Sequence, residues 1–128
     1  MAIERETVHA PGAPAAIGPY SQAVRAAGLL FCSGQIPLDT QTGELVGATA
    51  GEQAHRCLQN LSAVCAAAGT SLARAVRITV YLTDMAAFAQ VNEAYASFFG
   101  ADPPARVAVG VASLPRGAEV EIDAVVAL

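Results

Sequence analysis

Lysine is absent from this chain, and charge of either sign is scarce. Seven arginines and eleven acids make up 14% of 128 residues, against roughly 25% in an ordinary domain. Without lysine no Schiff base can form on the protein, which excludes the internal aldimine of a pyridoxal enzyme. The arginines stand singly from Arg5 to Arg116, and the net charge is −4. A nucleic-acid surface needs a basic stripe to displace counterions from phosphates, so no nucleic-acid partner is expected. Histidine occurs twice, as His9 and His55, and neither sits in a motif. The three cysteines, Cys32, Cys57 and Cys65, are an odd number without C-x-x-C spacing. That argues against a disulfide framework or a structural zinc and for buried, reduced thiols in a cytoplasmic protein. No run of ~18 apolar residues and no charged-then-apolar leader is seen, so neither a membrane nor a secretory role is expected.

What is present suits one domain over residues 1–128. Hydrophobic residues form 54% of the chain, but 29 of them are alanine, so the scarcity of charge is the firmer signal. A chain this poor in charge is expected to bury surface against copies of itself.

The patterning alternates between strand and helix. Ile3–Val8 reads as a short strand. Residues 10–19, rich in Ala, Pro and Gly, read as an extended connection. Gln22–Ala26 and Leu29–Ser33 flank Ala27-Gly28 as a hairpin, and Pro37–Gly43 is a turn cluster. Thr49 and Glu52 have capping-box spacing. Ala54, Cys57, Leu58, Leu61, Cys65 and Ala68 then mark one helical face, ended by Gly69. Val76, Ile78, Val80 and Leu82 alternate with polar residues as a half-buried strand. Asp84 is placed to cap a second helix from Met85 to Phe99, marked by Phe88, Val91, Tyr95 and Phe98. Two last strands follow, Arg106–Ala112 and Glu119–Val126. The expected architecture is α+β: one sheet with two helices on one face. The Val/Ile faces of the last strands, including Val107, Val109 and Val111, are expected in the core. The other face would carry Arg77, Thr79, Tyr81, Arg106, Ala108, Gly110 and Glu121, and would be the subunit interface.

Few residues are available for chemistry. Arg106 and Glu121 lie on consecutive strands joined by Leu-Pro-Arg-Gly, so antiparallel pairing is expected, with both side chains on the face away from the core. They are either a structural ion pair or a guanidinium that grips a substrate carboxylate beside an acid poised for proton transfer. Tyr20 after Gly18-Pro19 and the Ser33-Gly34-Gln35 segment are modest signals on their own. Gly34 permits close backbone approach, and no phosphate loop follows. His55 is expected at the surface or in packing, and no Ser-His-Asp set assembles.

Together these segments resemble the Rid family of reactive-intermediate deaminases. The resemblance runs through Ala15–Ala23, Phe31–Leu38, Thr42–Val46, Val80–Met85, Val91–Glu93, Phe98–Gly100, Pro104–Arg106, Leu114–Ala118 and Val120–Ala124, almost the whole chain. It implies a chorismate-mutase-like α+β fold with a single mixed sheet, a homotrimer, and sites in the clefts between subunits. It also implies hydrolysis of 2-imino acids and their enamine tautomers to 2-keto acids and ammonia. Such imines are released by pyridoxal-dependent dehydratases, and the protein itself would need no cofactor and no metal. By the same resemblance Arg106 holds the substrate carboxylate, Glu121 handles the water, Tyr20 lines the cleft, and Ser33, Gly34 and Phe88 match other pocket positions. Two positions depart from many relatives: Ala108 stands where they carry cysteine, and Gly110 where they carry glutamate. The competing readings are a keto-acid-binding regulatory trimer and, against the acidic composition, an endoribonuclease or translation inhibitor.

Overall fold

Thr49 opens the longest helix, as its spacing to Glu52 predicts. Its hydroxyl accepts the Glu52 N–H at 3.1 Å, and the Glu52 carboxylate reaches back to the Ala48 N–H at 2.7 Å. One orphan donor of the first turn is thereby satisfied, together with the N–H of the residue just before the cap. In the computed structural model, which describes residues 4–128, this helix is α1, Ala50–Ala67. Ala54, Cys57, Leu58, Leu61, Cys65 and Ala68 are all buried, and Gly69 takes the positive φ that follows the helix end.

The sheet has six strands: β1 Arg5–Val8, β2 Ala23–Ala26, β3 Leu29–Gln35, β4 Ala75–Leu82, β5 Ala105–Gly110 and β6 Val120–Ala127. Their order is β1-β2-β3-β6-β4-β5. Every neighbouring pair is antiparallel except β4 and β5, which run parallel. Of the strand expected at 3–8, Ile3 lies outside the described residues. The β2–β3 hairpin turns on Ala27 and Gly28, both at positive φ, the requirement of a tight two-residue turn.

The second helix, α2, is Phe88–Ala96, shorter than the expected span. Asp84 does cap its entry, accepting the Ala86 N–H at 2.9 Å, but onto a single 3₁₀ turn. The end comes early because the Ser97 hydroxyl donates to the Ala94 carbonyl, and Ser97 and Phe98 bond three residues back rather than four. Both helices pack on one face of the sheet, as expected, with α1 over β6 and β3 and α2 against α1. Between them lies one core that includes Leu30, Leu58, Leu61, Ile78, Leu82, Val91 and Ile122.

Two expectations about faces are corrected. Val76 is 48% exposed rather than core, because a bulge between Ala75 and Arg77 shifts the β4–β6 register by one residue. More consequentially, β5 does not pair with β6. The segment between β4 and β5 is a crossover carrying α2, which delivers β5 parallel to β4 at the sheet edge. Its register sets Ile78 opposite Arg106, Val80 opposite Ala108 and Leu82 opposite Gly110. Arg106, Ala108 and Gly110 therefore share the helix-covered face with those core residues, and Val107 and Val109 point to the open face, 40% and 37% exposed. An edge strand whose residues alternate between valine and small groups satisfies either orientation, so its pattern could not fix the choice.

Candidate active site

The open face of β6 carries Glu121 and Asp123, since Val120, Ile122 and Ala124 are buried beneath α1. Beside Glu121, β3 loses its regular register between Cys32 and Gln35. Gly34 sits in that irregular stretch with the Glu121 side chain directly over it. A Cβ built there would overlap the carboxylate and lie 2.9 Å from Cδ, so the absence of a side chain at Gly34 is what lets Glu121 lie against the backbone. Ser33 is fixed next to it: its hydroxyl donates to the Ser21 carbonyl at 2.6 Å, and its N–H to the Gln22 carbonyl at 3.0 Å. Tyr20 comes in from the preceding loop, its hydroxyl accepting the Ile17 N–H at 3.2 Å. Ile17, Tyr20, Ser33, Gly34, Ile36, Pro115 and Glu121 enclose a cleft of ≈ 290 Å³.

That cleft holds an acid and no cation. Burial, and then the charge of Asp123, raise the pKa of Glu121 above the ordinary glutamate value. Glu121 forms no ion pair among the described residues. An acid so placed can give and accept a proton near neutrality more readily than one in water.

Arg106 lies elsewhere. Its guanidinium donates to Asn92 Oδ1 at 2.7 Å and stacks on two rings of α2, 5.5 Å from the Phe88 centroid and 4.8 Å from that of Tyr95. Such a planar cation keeps its remaining donors free while its faces are held. The structure thus sorts the expected site residues into two groups. Glu121, Tyr20, Ser33 and Gly34 come together, and Arg106 and Phe88 come together. The expected same-face pairing of Arg106 with Glu121 is overturned, because β4 stands between their strands and the two side chains leave opposite faces of the sheet.

Asn92 and Tyr95 were not singled out in the sequence as partners of the arginine. Their signal was there in the spacing: Phe88, Asn92 and Tyr95 follow at i, i+4 and i+7, one stripe of α2. Ile17, Ile36 and Pro115 also line the acid cleft without any signal of their own. His55 meets the edge of Phe98 at 5.1 Å, a packing contact as expected. Cys32, Cys57 and Cys65 are buried and unpaired, and burial pushes the Cys57 thiol up, away from thiolate chemistry. Among the described residues no helix is long and apolar enough to cross a membrane.

Comparison with known proteins places these groups in context. The family model described as endoribonuclease L-PSP matches residues 10–128. A RutC family protein of Sinorhizobium fredii is 50% identical, over 96% of this chain and 98% of its own length. The 2-iminobutanoate/2-iminopropanoate deaminase of Mus musculus is 46% identical, over 96% of this chain and 91% of that protein. The crystal structure of RidA from an Antarctic Psychrobacter species superposes with a TM-score of 0.92 at 41% identity, covering 96% of this chain and 99% of the other.

Proposed function

Because this chain belongs to the Rid family, we propose that it hydrolyses 2-imino acids, such as 2-iminobutanoate and 2-iminopropanoate, to 2-keto acids and ammonia. The family match over residues 10–128 and the 46% identity to the mouse deaminase support the reading. The observation that carries it is the state of Glu121. This carboxyl is partly buried, set against Gly34 in a small cleft, raised in pKa, and without an ion pair among the described residues.

The site is completed by a second copy. An imino acid carries a carboxylate, and the Glu121 cleft offers it no cation. The guanidinium that would bind it stands on the edge strand, on the other face of the same chain. Arg106 of one copy facing the Glu121 cleft of the next supplies both groups, and a closed ring of three such contacts is the homotrimer. Val107, Val109 and Phe31, all more than a third exposed on the open face, are the apolar surface such an assembly would cover.

The chemistry then needs no covalent nucleophile. The imine carbon is electrophilic once its nitrogen is protonated. Arg106, oriented by Asn92 and backed by Phe88 and Tyr95, fixes the carboxylate by charge-assisted hydrogen bonds. Ser33 and Tyr20 line the opposite wall. Glu121 takes a proton from water as its oxygen bonds to the imine carbon. It returns that proton to the amine nitrogen, and the C–N bond breaks as the carbinolamine hydroxyl gives its own proton to Glu121, which releases ammonia and leaves the keto acid. The substrate is the kind of product that a pyridoxal-dependent dehydratase releases.

A dehydratase that generates 2-iminobutanoate in the cuvette provides the test, with keto-acid release as the readout. Arg106→Ala is expected to abolish acceleration, and Glu121→Gln to lower kcat more than it raises KM. Undiminished release by Arg106→Ala would end the carboxylate-anchor reading. Wild-type protein that binds 2-ketobutyrate yet does not accelerate ammonia release would favour a binding role instead.

A further inference from the structure

Glu121 has a neighbour that the proposed chemistry leaves unused. Asp123 follows it by two residues on β6, so both acids project from the open face. Across the strand pair, Tyr81 of β4 stands directly opposite Glu121, and Thr79 opposite Asp123. The Tyr81 hydroxyl nevertheless donates to Asp123 Oδ2, at 2.8 Å. The bond runs diagonally, from the residue beside Glu121 to the acid one step along. It ties the Asp123 carboxylate to the residue that stands beside Glu121.

We propose that Asp123, held by Tyr81, is a positioning residue that keeps Glu121 able to carry a proton. This rests on the imine-hydrolysis reading, and it answers a difficulty within it. In the assembled site the guanidinium of a second copy would face Glu121. A lone carboxylate beside a guanidinium stays ionised over the working range and makes a poor proton carrier. A fixed negative charge on the other side opposes that pull.

The surroundings of Glu121 leave few other groups to do this. On β4 the titratable or charged neighbours are Tyr81 and, further along the same face, Arg77. On β3 the adjacent Ser33 and Gly34 carry no charge, and from the preceding loop comes Tyr20. Pro115 lines the cleft and carries no charge, and Glu119 is turned away into a bond with Gln53. Cys57 lies beneath, on the helix side of the sheet. β5 presents only the uncharged Ala105, Val107 and Val109 on this face. Burial and Asp123 both raise Glu121, in that order, and the Tyr81 hydroxyl is itself raised chiefly by its bond to Asp123.

The experiment follows the Glu121 side-chain carboxyl by ¹³C NMR through a pH titration of the full chain, with Glu121→Gln identifying the resonance. Asp123→Asn, nearly the same in shape, is expected to move the midpoint down toward the ordinary glutamate value. Asp123→Glu, which keeps the charge, is expected to retain the elevation. The acid limb of the kcat/KM profile for imine hydrolysis should move with the midpoint in each variant. A folded Asp123→Asn protein whose midpoint is unmoved overturns the inference, as does an acid limb that stays put while the midpoint shifts. A midpoint that falls as expected in a protein that hydrolyses no imine supports the tuning and removes the proposed function instead, so the two failures are separable.

Discussion

Gly34 and Glu121 show how little material the acid half of this site uses. A carboxylate is held against the sheet because the facing residue lacks a Cβ, and no hydrogen-bonding partner needs to be spent on it. Gly34 does not lie at positive φ, so alanine is tolerated by the backbone and fails only by displacing Glu121. Gly34→Ala is therefore expected to leave the urea unfolding midpoint nearly unchanged while lowering turnover by about 10²-fold, the cost of misplacing a reacting group by roughly 1 Å. Steady-state kinetics beside a denaturation curve checks both halves. A variant that loses stability and activity together would mean that Gly34 serves packing alone. The arginine half is built the opposite way. Arg106 is held by an amide and two aromatic rings from one stripe of α2, a cradle assembled by helix periodicity rather than by the strand that bears the arginine.

Among the elements, the irregular stretch between β1 and β2 gives the cleft Ile17 and Tyr20 and is anchored by one side chain. Gln22 is buried, and its amide bonds the Ala10 N–H at 2.7 Å and the carbonyls of Ala10, Ala13 and Pro14 at 3.1, 3.5 and 2.8 Å. These bonds hold in place a segment with no ladder of its own, and that segment leads to Ile17 and Tyr20. Gln22→Leu leaves at least one buried N–H and one carbonyl without partners, at about 1–3 kcal/mol each. The expected result is a loss of about 2–4 kcal/mol in chemical denaturation, with faster amide exchange over residues 10–17. An unaltered exchange pattern would show that the loop is held some other way. The sequence places Gln22 at the start of a strand but gives no sign of its anchoring role, which lies in bonds to residues up to twelve positions away. α1 stands at the other extreme: its cap, its buried face and its terminal glycine are all local, and all were legible. The strands were legible as strands. What the pattern could not supply was pairing. The crossover through α2 puts β5 beside β4, and that non-local event decides which face Arg106 leaves from. The acid cleft survived this error because β6 has large core residues at alternate positions, whereas β5 has only valine and small groups to signal a side.

At the scale of the whole molecule, the separation of Arg106 from Glu121 is itself an argument about assembly. One has a three-residue cradle and the other is set against Gly34 in its own cleft, yet one chain cannot bring them together. If each working site takes Arg106 from one copy and Glu121 from the next, the defects Arg106→Ala and Glu121→Gln complement each other in trans. In trimers mixed at random from equal amounts of the two variants, a site is intact only where a Glu121→Gln copy lends its arginine to an Arg106→Ala copy. That arrangement holds at about one site in four for cyclic contacts. Co-refolded or co-expressed variants should therefore recover roughly a quarter of wild-type imine hydrolysis, although Arg106→Ala alone is inactive and Glu121→Gln alone is impaired. Light scattering should give a mass near three times the 13.0 kDa of the chain. Sites contained within one chain would yield no recovery at any mixing ratio, because every chain in the mixture carries a defect in its own site. Recovery that rises and falls with the product of the two variant fractions would identify the cleft as one that adjoining copies build jointly.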